Sequence, residues 1–195
     1  MSVHISRGNT KLGKHTANIS LPPVATCPKG APCANDCCYA LKAWRQYPSV
    51  RHAWGSNLAE YVMNANGYFA RITDWIWHHR PVYFRWHVAG DIPNQEYLDY
   101  MKALGRLHKS TSFLCFTKRY ELAYADLPPN LSILASAWPG HGIVHVPNGH
   151  GFLPIAWCQD GTETRIPHNA YECPGSCQRC RVCWHTTKDV WFHKH

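Results

Sequence analysis

The segment Pro81-Val82-Tyr83-Phe84-Arg85-Trp86-His87-Val88-Ala89-Gly90-Asp91 decides the fold. After Pro81, a run rich in β-branched and aromatic residues favours a pleated backbone, and Ala89-Gly90-Asp91 ends it. A helix is predicted next over residues 94–108, with Tyr97, Leu98, Met101 and Leu104 as its apolar positions. Strand, polar turn and crossover helix form the unit from which parallel sheets are built. Downstream the pattern predicts a strand over 112–117, a short helix over 118–125 and a strand over 131–136. Trp138-Pro139-Gly140 opens a turn, and 143–146 and 153–157 read as short strands joined by a Gly/Pro/Asn-rich connection.

Upstream, residues 16–21 read as a strand that Pro22-Pro23 ends. A helix is predicted from near Cys37 through Trp44, with Asn35 or Asp36 as its cap, and Pro48 breaks it. Helices over 50–64 and 68–79 follow, the second placing Phe69, Ile72, Trp75 and Ile76 on one core-facing side. No fixed-period repeat or low-complexity linker divides the chain, so residues 1–195 are read as one domain. The predicted class is α/β, a compact or partial parallel βα barrel closed by a C-terminal cysteine cluster loop. At 195 residues the chain is short for a full eight-unit barrel. The His-rich end, 191–195, reads as a frayed tail.

Hydrophobic residues make up 45% of the chain, with nine Trp and ten Tyr, which excludes a disordered protein. The formal charge of +8 permits a nucleic-acid or anionic partner, but no dense Lys/Arg block accompanies it. A basic, soluble surface accounts for it equally. The start of the chain has no apolar run of the signal-peptide kind, and nowhere is there an apolar stretch of the roughly 18 residues needed to span a bilayer. These features predict a cytoplasmic protein, in the host cell if it is viral, without a membrane partner. In that compartment ten cysteines stay reduced, which favours metal or cluster ligation over disulfides.

The cysteines fall into two groups. Cys173, Cys177, Cys180 and Cys183 lie within eleven residues, and thiolates so close together form a nest for an iron–sulfur cluster. Zinc is the rival, but four-cysteine zinc sites usually take two short pairs separated by a long segment. Arg179 and Arg181 lie between these thiols, either tuning them or serving as solvated loop charges. The second group, Cys27, Cys33 and Cys37-Cys38, sits on the predicted strand-to-helix turn, where helix N–H groups favour a bound anion. Cys115 and Cys158 lie in apolar strands and read as small buried residues. His87 and Asp91 would stand at the C-terminal mouth of the sheet, where ligands bind in α/β folds, with Lys118 at the next strand end. A core histidine and a turn-capping aspartate fit the same positions.

Thr26-Cys27-Pro28, Cys33, Cys38-Tyr39-Ala40, Arg85-Trp86-His87-Val88-Ala89-Gly90-Asp91, Phe116-Thr117-Lys118, Ser136-Ala137-Trp138-Pro139-Gly140 and the terminal Cys-x2-Cys-x2-Cys-Trp together resemble the bacteriophage "gene product 88" family. That resemblance covers most of the chain and implies a phage-encoded, cysteine-rich, cluster-binding protein. It also selects Cys38 over Cys37 as the ligand. At a greater distance the layout resembles radical SAM proteins, in which three cysteines after the first strand hold a 4Fe-4S cluster whose open iron chelates S-adenosylmethionine. That resemblance implies Cys27, Cys33 and Cys38 as the ligands and puts Gly90 and Asp91 where the methionyl amino group is contacted. The spacing here is Cys-x5-Cys-x4-Cys instead of Cys-x3-Cys-x2-Cys, and Gly-Asp replaces the longer Gly-Gly-Glu-Pro signature.

Three functional expectations follow. The first is an iron–sulfur protein with one 4Fe-4S cluster, or two, in redox or structural use, served by an electron donor or a small-molecule substrate. The second is a divergent radical SAM enzyme using Cys27, Cys33 and Cys38, with His87, Gly90, Asp91 and Lys118 around the cofactor. The third is a zinc-containing nucleic-acid-binding module.

Overall fold

The computed structural model describes residues 3–9, 11–34, 38–142 and 145–194. Among them eight strands form one sheet: β1 (Ile5–Arg7), β2 (Thr16–Ile19), β3 (Tyr83–Trp86), β4 (Ser112–Thr117), β5 (Leu131–Ala137), β6 (Ile155–Gln159), β7 (Tyr171–Glu172) and β8 (Val190–His193). Their order is β1-β2-β3-β4-β5-β6-β8-β7. Only β1 is antiparallel to its neighbour; every other pairing is parallel. The fold is therefore mixed α/β around a mostly parallel sheet. Closure into a barrel is not seen among the described residues: the ladder runs from β1 to β7.

Four helices are present among the described residues: α1 (Tyr39–Gln46), α2 (Pro48–Met63), α3 (Ala65–His79) and α4 (Gln95–Leu107). The first three connect β2 to β3, and α4 connects β3 to β4. Pro48 starts α2, where its fixed φ suits a first turn and its missing N–H costs nothing. The Asn64 and Asn94 side chains accept from Gly67 N–H and Tyr97 N–H, capping α3 and α4. The predicted caps Asn35 and Asp36 lie outside the described residues, as does Cys37. Cys38 stands at the cap position of α1, without a side-chain capping bond.

Alternation along the strands sorts side chains onto two faces. Phe84, Trp86, Phe113, Cys115, Ile133 and Ala135 face the helices and pack with Tyr68, Phe69, Ile72, Ile76, Tyr97 and Met101. Leu114, Leu134, Ala156 and Val190 face the other way, where Leu12 and Trp184 cover them. Among the described residues no helix is long and apolar enough to cross a membrane.

Two further expectations are corrected, and a third lies partly outside the described residues. Residues 118–125 do not form a helix: Asp91 takes the Lys118 N–H, Thr117 Oγ1 takes the Arg119 N–H, and Tyr124 O–H donates to the Arg119 carbonyl. Bonds from the Arg119 side chain to the Ile92 and Thr26 carbonyls tie the segment further to its neighbouring loops. Over 143–146, residues 143 and 144 lie outside the described set, and nearby only the isolated Pro147–Phe152 bridge forms. The supposed tail is strand β8, between β6 and β7, because Val190 is fully buried and packs into the helix-free face with Phe192.

Candidate functional site

The C-terminal ends of β2, β3 and β4 meet at one mouth of the sheet. The loop after β2 is tied there to the loop after β3: Leu21 N–H donates to the Ala89 carbonyl at 3.0 Å, and Ala89 N–H to Ser20 Oγ at 3.2 Å. Thr26 Oγ1 donates to the Pro22 carbonyl at 2.9 Å and accepts from Asp91 N–H at 3.1 Å. Gly90 makes this approach feasible. Its φ is +78°, and a Cβ would lie 2.6 Å from Thr26 Oγ1 and 2.7 Å from the Leu21 carbonyl oxygen. Arg119 adds a bond from its Nη2 to the Thr26 carbonyl at 2.9 Å.

Asp91 is 2% exposed and is the knot of this region. One carboxylate oxygen accepts from Thr117 Oγ1 at 2.6 Å and from Ile92 N–H at 2.8 Å; the other accepts from Lys118 N–H at 2.8 Å. Burial raises its pKa, and these bonds pull it back. Asp91 therefore joins strand ends before it can serve a ligand. Lys118 Nζ lies 5.5 Å from the Trp138 ring centre, a cation–π contact across the mouth.

Cys27, Cys33 and Cys38, all half-buried free thiols, stand beside this knot. The Cys33 thiol donates to Cys38 sulfur, and that bond is the main reason Cys38 is lowered to about 6. Backbone N–H groups of Leu41 and Ala40, at the start of α1, support the same thiolate. Cys33 is correspondingly raised, its proton held by that bond and by burial. Cys27 is raised by burial and by Asp91. The positive charge of Lys118 lowers all three. Of the three, Cys38 is the thiol most readily offered as a thiolate. Among the described residues no three His, Cys, Asp or Glu side chains are grouped so as to hold a metal ion.

His87 is set apart from the thiols. Its ring packs 6.0 Å from Trp86 and 5.2 Å from Tyr97, and neither nitrogen has a hydrogen-bond partner. Burial, with Arg85 assisting, lowers it to about 3. Cys115 and Cys158 are buried in β4 and β6, as expected.

The terminal group lies on the face of the sheet away from the helices. Cys173 N–H donates to the Trp191 carbonyl at 2.8 Å and Cys177 N–H to the Lys11 carbonyl at 2.9 Å, fixing the run to β8 and to the segment before β2. A 3-10 turn, Val182–Trp184, carries Cys183 and drops Trp184 into the apolar layer, edge-on to Tyr83 at 5.3 Å. Cys177 and Cys183 pack in that layer, and burial raises both, Cys183 to about 12. Arg85 draws both down. The sequence reading missed this residue, whose guanidinium lies 4.1 Å over Phe116 on the same face. Its signal was the period-two alternation Tyr83-x-Arg85 opposite the core residues Phe84 and Trp86. The main thiol–thiol effects run within each group: Cys38 acts on Cys27 and Cys33, and Cys173 on Cys177 and Cys183.

Fold and site define an α/β protein whose open, mostly parallel sheet carries one cysteine group at its mouth and a second on its helix-free face. The chain belongs to the Gene product 88 family, whose profile matches residues 3–186. No curated protein and no solved structure matches it.

Proposed function

We propose that the chain binds a 4Fe-4S cluster through Cys27, Cys33 and Cys38 and presents its fourth iron to a small chelating molecule, in the manner of a divergent radical SAM enzyme. The observation that carries the reading is the placing of three mutually interacting thiols, one ionised near neutrality, at the mouth of a parallel sheet under the charge of Lys118. When bound, such a cluster supplies single electrons to whatever its open iron holds. The chain's own residues do the rest. Cys38 provides a ready thiolate, Lys118 offsets the negative charge of the thiolates, and Gly90 with Thr26 holds the loop against β3. Asp91, with both oxygens engaged, acts as a positioning residue and not as the partner of a methionyl amine.

The terminal run supports a second reading, a structural or electron-transfer cluster held by Cys173, Cys177, Cys180 and Cys183. In favour of it, Cys180 Sγ already accepts from Val182 N–H at 3.5 Å and contacts Tyr171 OH at 3.7 Å. Anaerobic reconstitution followed by iron and sulfide counting separates the two. The mouth reading expects the wild type to hold about four irons, or about eight with both groups loaded, and the triple Cys27, Cys33, Cys38→Ala variant to lose about four. Retention of all iron by that variant overturns the mouth assignment, and a colourless zinc protein overturns both. S-adenosylmethionine should perturb the spin-resonance spectrum of the reduced protein and be cleaved by it; no change on addition removes the radical SAM part alone.

A further inference from the structure

At the opposite end of the sheet, where β2 and β3 begin, lies a cavity of about 370 Å³. Arg7, Lys14, Arg80 and Arg181 line it, joined by the imidazoles of His15 and His79, and no carboxylate lines it among the described residues. Like charges gathered round one concavity repel, and low-dielectric walls focus their field onto whatever enters. Such a grouping lacks a counter-charge that a bound anion would provide.

The lining side chains come from separate segments. Arg7 ends β1, Lys14 and His15 lead into β2, and His79 and Arg80 finish α3. Arg181 belongs to the terminal cysteine run and is held in place. Its Nη1 donates to Thr16 Oγ1 at 2.9 Å, and the guanidinium lies 4.1 Å over Tyr83 and 5.4 Å from Trp184. Arg80 and Arg181 both adopt left-handed backbone, with φ of 45° and 82°. In Arg80 it closes α3 and in Arg181 it opens the 182–184 turn, so each side chain leaves its element at a fixed terminus. A positioned guanidinium offers a planar fork that matches phosphate oxygens.

Trp75 and Tyr83 also line the cavity, and the Trp75 ring stacks on His79 at 4.1 Å and 12°. A flat π surface therefore stands beside the cations. The volume falls at the small end of ligand pockets, which run from roughly 300 to 1,000 Å³. We infer that this cavity binds a phosphate-bearing ligand of nucleotide size, its phosphates on Arg80 and Arg181 and its base against Trp75. The phosphate belongs either to a free nucleotide or to the end of a single strand. Because Arg181 sits between Cys180 and Cys183, occupancy here also steadies the turn that carries those thiols. The assignment does not depend on the mouth cysteines.

The test is titration of the full-length protein at low salt with adenosine triphosphate, inorganic pyrophosphate and a short single-stranded oligonucleotide, read by calorimetry. Triphosphate binding should weaken about tenfold in Arg80→Gln and at least as much in Arg181→Gln, as expected for loss of a charge-assisted hydrogen bond. It should fall with added salt and stay within about twofold in Lys42→Gln, the control for bulk charge, exposed on α1 at the mouth end of the sheet. Arg80 lies on the exposed rim, so its variant carries the test even if Arg181→Gln fails to fold. Tighter binding of the oligonucleotide, with the same arginine dependence, identifies a strand end as the phosphate source. Equal affinity for pyrophosphate overturns the stacking on Trp75. No binding of any probe, or equal loss in all three variants, overturns the site.

Discussion

At the mouth of the sheet Cys38 ionises at about 6, because a neighbouring thiol and two helix N–H groups donate to its sulfur. On the helix-free face Cys183 keeps its proton up to about 12, because it is half-buried against the apolar layer of Trp184 and Leu114. Polar donors around a thiol make a nucleophile and ready ligand, whereas apolar packing makes a piece of core that must be deprotonated by whatever metal it binds. The terminal run is the more conspicuous cysteine pattern in the sequence, yet it is the one built into the packing. The mouth group, with looser spacing, holds the more reactive thiol.

This contrast can be broken most forcefully at Trp184. Trp184→Ala should cost about 3–5 kcal/mol by leaving a cavity in the helix-free face, seen as a large fall in midpoint on thermal or urea unfolding. A loss below about 1 kcal/mol would mean that the terminal run is not part of the core. Next, alkylation of the metal-free protein at pH 7 should label Cys38 ahead of Cys183. The gap in thiolate fraction, tempered by the lower nucleophilicity of an acidic thiol, gives a rate ratio of roughly 10²- to 10³-fold. Peptide mapping measures it, and equal labelling would erase the distinction between the groups. Gly90→Ala should cost about 1–3 kcal/mol through its left-handed φ and the approach of Thr26. It should increase labelling of Cys27 while leaving Cys183 unchanged, which localises the damage to the mouth.

The smallest net effect is on the pH dependence of stability. The folded-state pKa of His87 is about 3, below its ordinary 6.5, so on acidification the unfolded chain takes up a proton first. Stability should therefore fall as pH drops from about 6.5 towards 3. Asp91 acts in the opposite sense, since its raised pKa means that acid relieves a buried charge. His87→Phe should remove the acid-side loss, and an unchanged stability profile would show that His87 is hydrated.

Much of the frame was legible locally. Strand β4 follows from the short apolar run Phe113-Leu114-Cys115-Phe116 and the span of α4 from its apolar spacing and the Asn94 cap, because both are set by contacts within a few residues. The region 118–125 was not, since its helical pattern yields to Asp91, a residue from another strand end. β8 was missed for a related reason: a four-residue strand near the histidine-rich end shows itself only through its neighbours β6 and β7.

The same division holds for the site. Residue type and spacing alone set out two thiol groups, placed Cys27, Cys33 and Cys38 after a strand, and marked Gly90-Asp91 as a strand-ending turn. Tertiary structure decided that Asp91 is occupied as a knot, that His87 turns into aromatic packing, and that the terminal run lies across the far face with Arg85 and Arg181 among its partners. Spacing reports what one short loop can reach. Burial, charge and hydrogen bonding depend on segments far apart in the chain, and only the assembled sheet brings these together.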